Sequence, residues 1–496
     1  MHRLRLAPLG RALAATIAAL ALPVHAQNLI TLYEAASGYD ATYQSALSAY
    51  DATIARAAQA KAGLLPQVGL SASASHTEQE LRVERLGSTD RAIPQESAGI
   101  NAIQPLYRPA NWAVYEQSKR QLDIAQAQLD AAAQDLIVRV SQAYFDVLAS
   151  QDSLALVRAQ KAATAEQLAA AKRNFEVGTS TITDSREAQA RYDLVVAQEI
   201  AAENDLQVKK IALDQLVGRA NTVPTPLAAP VVLPSITPAS IDAWVRQAEA
   251  IHPAIVQAQL NVEVAKLEVE RAEAGHKPTV DAQLGYNVTN NPQGTTTSTS
   301  LQGVRVNAAS IGVVLNMPLF AGFSVQNRVK ETLALEDQAR ADLEATRRAV
   351  TQSTRSAYLG LIAGAGQVKA LEAAEASSQS ALDANRLGYQ VGVRINIDVL
   401  NSQSQLFQTR RDLAQARYNV LLGNLRLRQA SGSLNPDDLQ AINATLAVPG
   451  SAAASASESA PSAATMGTSG APAPAAVPGA APVAPNAPAT RQPARR

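Results

Sequence analysis

The chain has 496 residues, with 43 lysines and arginines against 43 aspartates and glutamates, no cysteine and a 4% aromatic content. Without cysteine it has no disulfide framework, no thiolate metal site, no cysteine nucleophile and no acylated-cysteine lipid anchor. Balanced charge lacks the basic surplus that nucleic-acid recognition needs, and so few aromatics in an alanine-, glutamine- and leucine-rich chain favour long, closely packed helices over large compact cores.

Residues 1–26 read as a secretory signal peptide. Arg3, Arg5 and Arg11 lead into the small and aliphatic stretch Ala12 to Pro23, and Val24-His25-Ala26 supplies a small-x-small cleavage pattern. That stretch is 12 residues long, and at about 1.5 Å per residue it is too short for a ~30 Å hydrocarbon core. Its removal leaves 40 basic against 43 acidic residues. No later run offers 18 uninterrupted apolar residues, so a membrane-spanning product must be a β-barrel.

Two structural repeats follow, residues 27–235 and 236–447. Ala62-Gly63-x-x-Pro66-x-Val68 recurs as Ala274-Gly275-x-x-Pro278-x-Val280, an offset of 212. Gln104-Pro105-Leu106-Tyr107 recurs as Met317-Pro318-Leu319-Phe320, an offset of 213, and Val177-Gly178 with Asp184 recurs as Val391-Gly392 with Asp398, an offset of 214. Landmarks that hold one spacing over more than a hundred residues indicate an internal duplication.

In the first repeat a helix is expected from Leu29 to Gly63, then two strands flanking a polar loop at Thr77 to Glu96, which holds the charged Glu78, Glu80, Arg82, Glu84 and Arg85. Ala110 to Glu176 contains neither proline nor glycine and keeps three-four apolar spacing, a rod of roughly 100 Å. Val177-Gly178 ends it, a half-length helix returns from Asp184 to Gly218, and Pro224, Pro226, Pro230 and Pro234 interrupt the chain.

The second repeat begins with a helix from Ser240 to Gly275, broken at Pro253. Val280, Ala282, Leu284, Tyr286 and Val288 alternate as a strand, a polar loop runs from Thr289 to Arg305, and Ile311, Val313, Leu315, Met317 and Leu319 line one side of the next strand. A second rod spans Ser324 to Val391, where Gly360, Gly364, Gly366 and Gly388 predict weakening or very close packing. Its return helix opens at Asp398. Residues 448–496 are an Ala/Pro/Ser-rich tail expected to be disordered.

The expected fold is mainly α with a β-barrel portion: in each repeat, a long antiparallel helical hairpin with a β-hairpin at one end. Four strands cannot close a barrel, and each unpaired backbone group in lipid costs several kcal/mol. Two chains give eight strands around a filled interior; three give twelve around a lumen. A homotrimer is thus the smallest conducting assembly, its helices continuing the barrel as a hollow periplasmic cylinder. Tyr107, Trp112, Phe320 and Phe323 fall just past the second strand of each pair. They suit either an aromatic girdle against outer-membrane lipid or core packing at a strand-to-helix corner.

From Leu29 to Leu446 the chain resembles the TolC-type outer-membrane efflux and secretion channels. The most specific stretch is Gly388-Tyr389-Gln-Val-Gly392-Val-Arg394-Ile-Asn-Ile-Asp398-Val-Leu-Asn401, and Gly432-Ser-Leu-Asn435-Pro-Asp-Asp-Leu439 resembles the family's closing segment. The resemblance implies a homotrimer in the Gram-negative outer membrane, docked to an inner-membrane pump through a periplasmic adaptor. It also implies an iris-like gate at the periplasmic tip, with Asp184, Tyr389 and Arg394 at link positions and Asp398 in an aspartate ring. Asn401 stands where the family's namesake carries a second aspartate, so the aperture should bind cations more weakly. Three Asp398 carboxylates at ~8 Å spacing and an effective dielectric of ~20 repel by about 2 kcal/mol per pair. Arg394 is the candidate counter-charge, reaching toward Asp184 on the neighbouring hairpin. Asp184 and Asp398 also read as helix N-caps, with Asp184-x-x-Glu187 resembling a capping box, and both roles stay open.

His76, His252 and His276 are isolated and form no metal-ligand spacing. No nucleotide-binding, metalloprotease or nucleophile-elbow motif occurs. The reading is therefore no enzyme, no cofactor, no metal and no nucleic acid, but a passive exit duct for drugs or secreted protein. The alternative is a periplasmic coiled-coil adaptor or scaffold without a pore.

Overall fold

The computed structural model describes residues 27–83, 87–228, 230–231, 233–293 and 302–446, all within one unit. The leader expected at 1–26 and the tail expected at 448–496 lie outside the described residues.

The N-terminal helix is two helices, not the one expected: α1 (Leu29–Tyr39) and α2 (Ala41–Ala62). Asp40 causes the break. Its carboxylate accepts the Tyr43 N–H at 2.8 Å, which caps α2, and receives Arg139 Nη2 and Nη1 at 2.8 and 2.9 Å. Those hydrogen bonds from Arg139 hold the Asp40 carboxyl below its ordinary pKa. A lowered folded pKa contributes stability above the unfolded value of about 3.9, and that contribution disappears as pH falls through the folded value. Asp40→Ala is expected to cost about 2 kcal/mol, a cap plus a half-buried ion pair, at pH 7 and much less near pH 2. Denaturant melts at the two pH values check this.

Strand β1 (Gln67–Val83) pairs antiparallel with β2 (Gly87–Tyr107), in register from Gln67↔Ile103 to Val83↔Gly87. The loop expected over Thr77 to Glu96 is therefore mostly ladder. Backbone pairing does not depend on side-chain polarity, so a polar ribbon can extend the strands beyond any apolar band. Glu78 and Glu80 lie on β1, whereas Glu84 and Arg85 are outside the described residues. The second hairpin is β3 (Thr279–Asn291) with β4 (Val304–Asn316). Met317 and Leu319 fall past the end of β4, because Pro318 between them has no N–H for a ladder. The sheet order is β1-β2-β3-β4, all antiparallel.

Rod α3 (Pro109–Glu176) has 68 residues and rod α7 (Ser324–Gln390) has 67, about 100 Å each. Between them lie the return helix α4 (Ile182–Val217), α5 (Ile241–Ile251) and α6 (Pro253–Glu273), whose start confirms the break at Pro253. The return helix α8 (Asn396–Ala430) and α9 (Asp438–Asn443) complete the chain.

The glycines of α7 do not interrupt it. A methyl at Gly364 would meet Val420 Cγ2 at 3.3 Å and one at Gly388 would meet Arg394 Cγ at 2.7 Å, but Gly360 and Gly366 face open space. Each rod stops where backbone turns left-handed, at Gly178 (φ +75°) and Gly392 (φ +77°). The turn lets the Thr179 N–H reach Asn174 O at 2.8 Å and the Val393 N–H reach Gly388 O at 2.9 Å. Since nothing lies within 4 Å of a methyl at Gly178, Gly178→Ala should cost about 1–2 kcal/mol from backbone conformation alone, and Gly178→Asn less. Thermal melts of the two variants separate these outcomes.

The principal core gathers Leu29 and Leu32 of α1, Tyr144 and Phe145 of α3, and Leu421 and Leu425 of α8, all buried. Tyr144 donates its hydroxyl to Thr225 O at 2.7 Å. Bridges Gln27↔Pro224 and Leu227↔Leu446 tie both ends of the described chain to the proline-rich segment. The short helices differ in their surroundings: α6 packs between α3 and α7, whereas α2 packs on α3 and buries none of its residues fully.

Candidate functional site

Two regions of the chain carry functional geometry: the sheet, and the paired tips of the helical hairpins.

Directly opposed residues of antiparallel strands share a face. One face of the sheet therefore holds Val68 and Leu70, Ile100, Leu284 and Tyr286, and Ile311, Val313 and Leu315 in lateral rows. These large apolar side chains are exposed, Leu70 by 79% and Ile311 by 87%. The other face holds Gly69, Ser71, Ser73, Asn101, Gly285, Asn287, Ser310 and Gly312. On the apolar face, β3 is lined from Val280 to Val288 and ends at Asn290, which donates to Glu96 at 3.3 Å. That stretch rises roughly 27 Å, or about 21 Å when tilted by ~40°, close to the ~25 Å apolar band of a barrel. Among the described residues, no helix is long and apolar enough to cross a membrane.

At the lower end of the band, Arg108 donates from Nε and Nη2 to both oxygens of Asp281 at 2.7 and 2.6 Å, joining the end of β2 to β3. The four aromatics sit at this level. Tyr107 pairs with Val280 and shares its face; Trp112 meets Tyr115 edge-on with centroids 6.2 Å apart, and Phe320 meets Phe323 edge-on at 5.5 Å. All four are exposed, Phe320 by 75%.

At the first tip, Thr181 and Asp184 form the capping box. Thr181 Oγ1 accepts the Asp184 N–H at 3.3 Å, and Asp184 Oδ2 accepts the Thr181 N–H at 3.1 Å and the Ser180 hydroxyl at 2.6 Å. The cap residue is therefore Thr181 instead of Asp184, and Glu187 is not its reciprocal partner. The Ser180 hydroxyl, with Thr181, holds the Asp184 carboxyl below its ordinary pKa.

At the second tip, α8 starts at Asn396 after Ile395, which has no capping side chain, so Asp398 lies in the first turn and is not the N-cap. Arg394 Nη1 stands 3.6 Å from Asp398 Oδ2. Within the chain Arg394 thus pairs with Asp398, one helical turn away, and not with Asp184.

Tyr389 joins the two tips, accepting from Asn174 Nδ2 at 3.2 Å. Asn401 joins the two return helices, its Oδ1 accepting from Arg191 Nη2 at 2.8 Å. Asn174, Arg191 and the Gln167–Asn396 hydrogen bond went unnoticed in the sequence. No local pattern marks a polar side chain whose partner lies two hundred residues away. Among the described residues no group of three His, Asp or Glu side chains could hold a metal ion.

Several known proteins are similar to this chain. The chain is 34% identical over 434 residues to the outer membrane protein TolC of Vibrio cholerae, covering 88% of this chain and 97% of that protein. It is 30% identical over 426 residues to the proteases secretion protein PrtF of Dickeya chrysanthemi, covering 84% of this chain and 91% of that one. The crystal structure of the outer membrane protein VceC from Vibrio cholerae superposes with a TM-score of 0.68 at 20% identity, over 82% of this chain and 96% of that one. The family model described as outer membrane efflux protein matches twice, at residues 32–219 and 244–433, one match for each copy of the duplicated unit. With the model matched over most of its length, the chain belongs to the outer membrane efflux protein family.

Proposed function

We propose that three copies of this chain form the outer-membrane exit duct of an efflux or type I secretion system, conducting passively from an inner-membrane pump and its periplasmic adaptor. The observation that carries the reading is a four-stranded sheet with one exposed apolar face, one small polar face and two open edges, β1 and β4. In lipid those edges require partners. The family offers both transport roles: PrtF is named for protease secretion and the family model for efflux.

The duplication suggests how neighbours meet. Residues 27–235 and 236–447 act as equivalent repeats, so the β2/β3 junction inside the chain is the template for β4 against β1 of the next copy. Likewise α6, seated between two rods, is the template for α2, whose open side then receives α7 of the neighbour. Tyr107, Trp112, Phe320 and Phe323 form the girdle at the inner membrane surface. At the far end Asp184, Tyr389 and Arg394 link the tips, while Asp398 and Asn401 ring the aperture.

The test is the mass and conductance of protein extracted from outer membranes. A detergent complex of three 52.0 kDa precursor-length chains, or slightly less after leader removal, that conducts in planar bilayers is expected. A monodisperse, water-soluble single chain contradicts the proposal.

A further inference from the structure

Just behind the tips, one cleft presents positive charge with no carboxylate in its lining. It lies between return helices α4 and α8, backed by rod α3, with a volume of about 390 Å³. Arg191 of α4 and Arg411 of α8 both line it, with Gln160, Gln198, Asn401 and Gln408, and no Asp or Glu is among the lining residues.

The hydrogen bonds of both guanidiniums end on neutral amides. Arg191 Nη2 donates to Asn401 Oδ1 at 2.8 Å; Arg411 Nη1 and Nη2 donate to Gln160 Oε1 at 3.3 Å and Gln408 Oε1 at 2.7 Å. Asp412 follows Arg411 in sequence, but its carboxylate receives Gln408 Nε2 at 2.8 Å. Its attraction does not offset burial, which pushes the Arg411 guanidinium below its ordinary pKa. An arginine stays charged regardless, and each guanidinium carries five N–H donors. Two cations with donors to spare therefore face one partly enclosed space. Gln198 adds an Oε1 that is buried without a hydrogen-bond partner, and turning that amide over replaces the orphan acceptor with a donor.

We infer that this cleft binds a small oxyanion, a phosphate or a carboxylate, between Arg191 and Arg411. Planar guanidiniums grip such oxygens through paired, charge-assisted hydrogen bonds. The occupant ties α4 to α8 and competes with Asn401 for Arg191. Any effect on conduction rests on the duct reading; the binding itself does not.

Two probes test this on the full chain in detergent. Crystals soaked in selenate should show anomalous selenium density in the cleft. Inorganic phosphate should raise the melting temperature above that in chloride of equal ionic strength. Arg191→Gln and Arg411→Gln should each weaken the phosphate response about tenfold, the loss of one charged hydrogen-bond pair, while Arg246→Gln, outside the cleft, leaves it unchanged. Absence of selenium from the cleft, or a phosphate response that Arg411→Gln leaves intact, overturns the inference. The selenate soak uses the unaltered chain and so decides even if a variant fails to fold.

Discussion

Ile311→Arg is expected to abolish assembly in the outer membrane, while Ser310→Arg, one residue away, still assembles. Ile311 lies on the exposed apolar face opposite Leu284, and Ser310 on the small polar face opposite Gly285. An arginine at the lipid midplane of a barrel costs ~2–4 kcal/mol, and three copies raise the penalty to roughly 6–12 kcal/mol per assembly. On the polar face the same side chain enters a watery lumen, where it narrows the pore and shifts selectivity toward anions. Quantifying each variant in outer-membrane fractions, followed by conductance of those that assemble, checks both halves. Equal assembly of both variants refutes the assignment of faces.

The second large effect belongs to the tip. Arg394→Ser removes the cation 3.6 Å from Asp398 and leaves the proposed ring of Asp398 carboxylates without its counter-charge. Three like charges repelling by about 2 kcal/mol per pair favour an open aperture, so single-channel conductance should rise several-fold, with stronger cation preference. Arg394→Lys should restore much of the closed behaviour. If conductance is unchanged, Arg394 and Asp398 serve only the start of α8. On the same proposal, Asn401→Asp adds a second set of carboxylates and is expected to tighten cation block of the aperture.

These effects show which features were legible from residues alone. The first rod was, because 67 residues without proline or glycine leave one conformational choice; the second kept its length despite four glycines, and a Val-Gly pair ended each. The duplication was, because its offsets survived in glycine and proline positions that turns require. The break at Asp40 was not, since Gly38 lies inside the first helix without ending it and the cause is a carboxylate bound to Arg139 about one hundred residues on. The upper ladder of β1 and β2 was hidden because its residues break the regular apolar-polar alternation, with Glu78 and Glu80 on one face and Thr77 and Gln79 beside Ile93 on the other, and only pairing makes it a strand. At the tip the partnerships were not legible: Arg394, just before α8, turned to Asp398 in its first turn, and Asn401 found Arg191 across the cleft.

The register of the β4/β1 junction is the sharpest consequence of the duplication. Inside the chain Asn101 faces Gly285. Shifting β2 forward by 213 and β3 back by 212 places Val314 of one copy opposite Ser73 of the next. The same offsets carry Val68↔Ala102 onto Val280↔Leu315, a pair present within the chain. The chain has no cysteine of its own, so Ser73→Cys with Val314→Cys gives two thiols at disulfide range on the watery face. Mild oxidation of this double variant in outer membranes should yield a covalent trimer on non-reducing gels, and Ser73→Cys with Val313→Cys, whose side chains point to opposite faces, should not. Monomers alone from the matched pair, in protein that resides in the outer membrane, contradict closure of the barrel by identical copies.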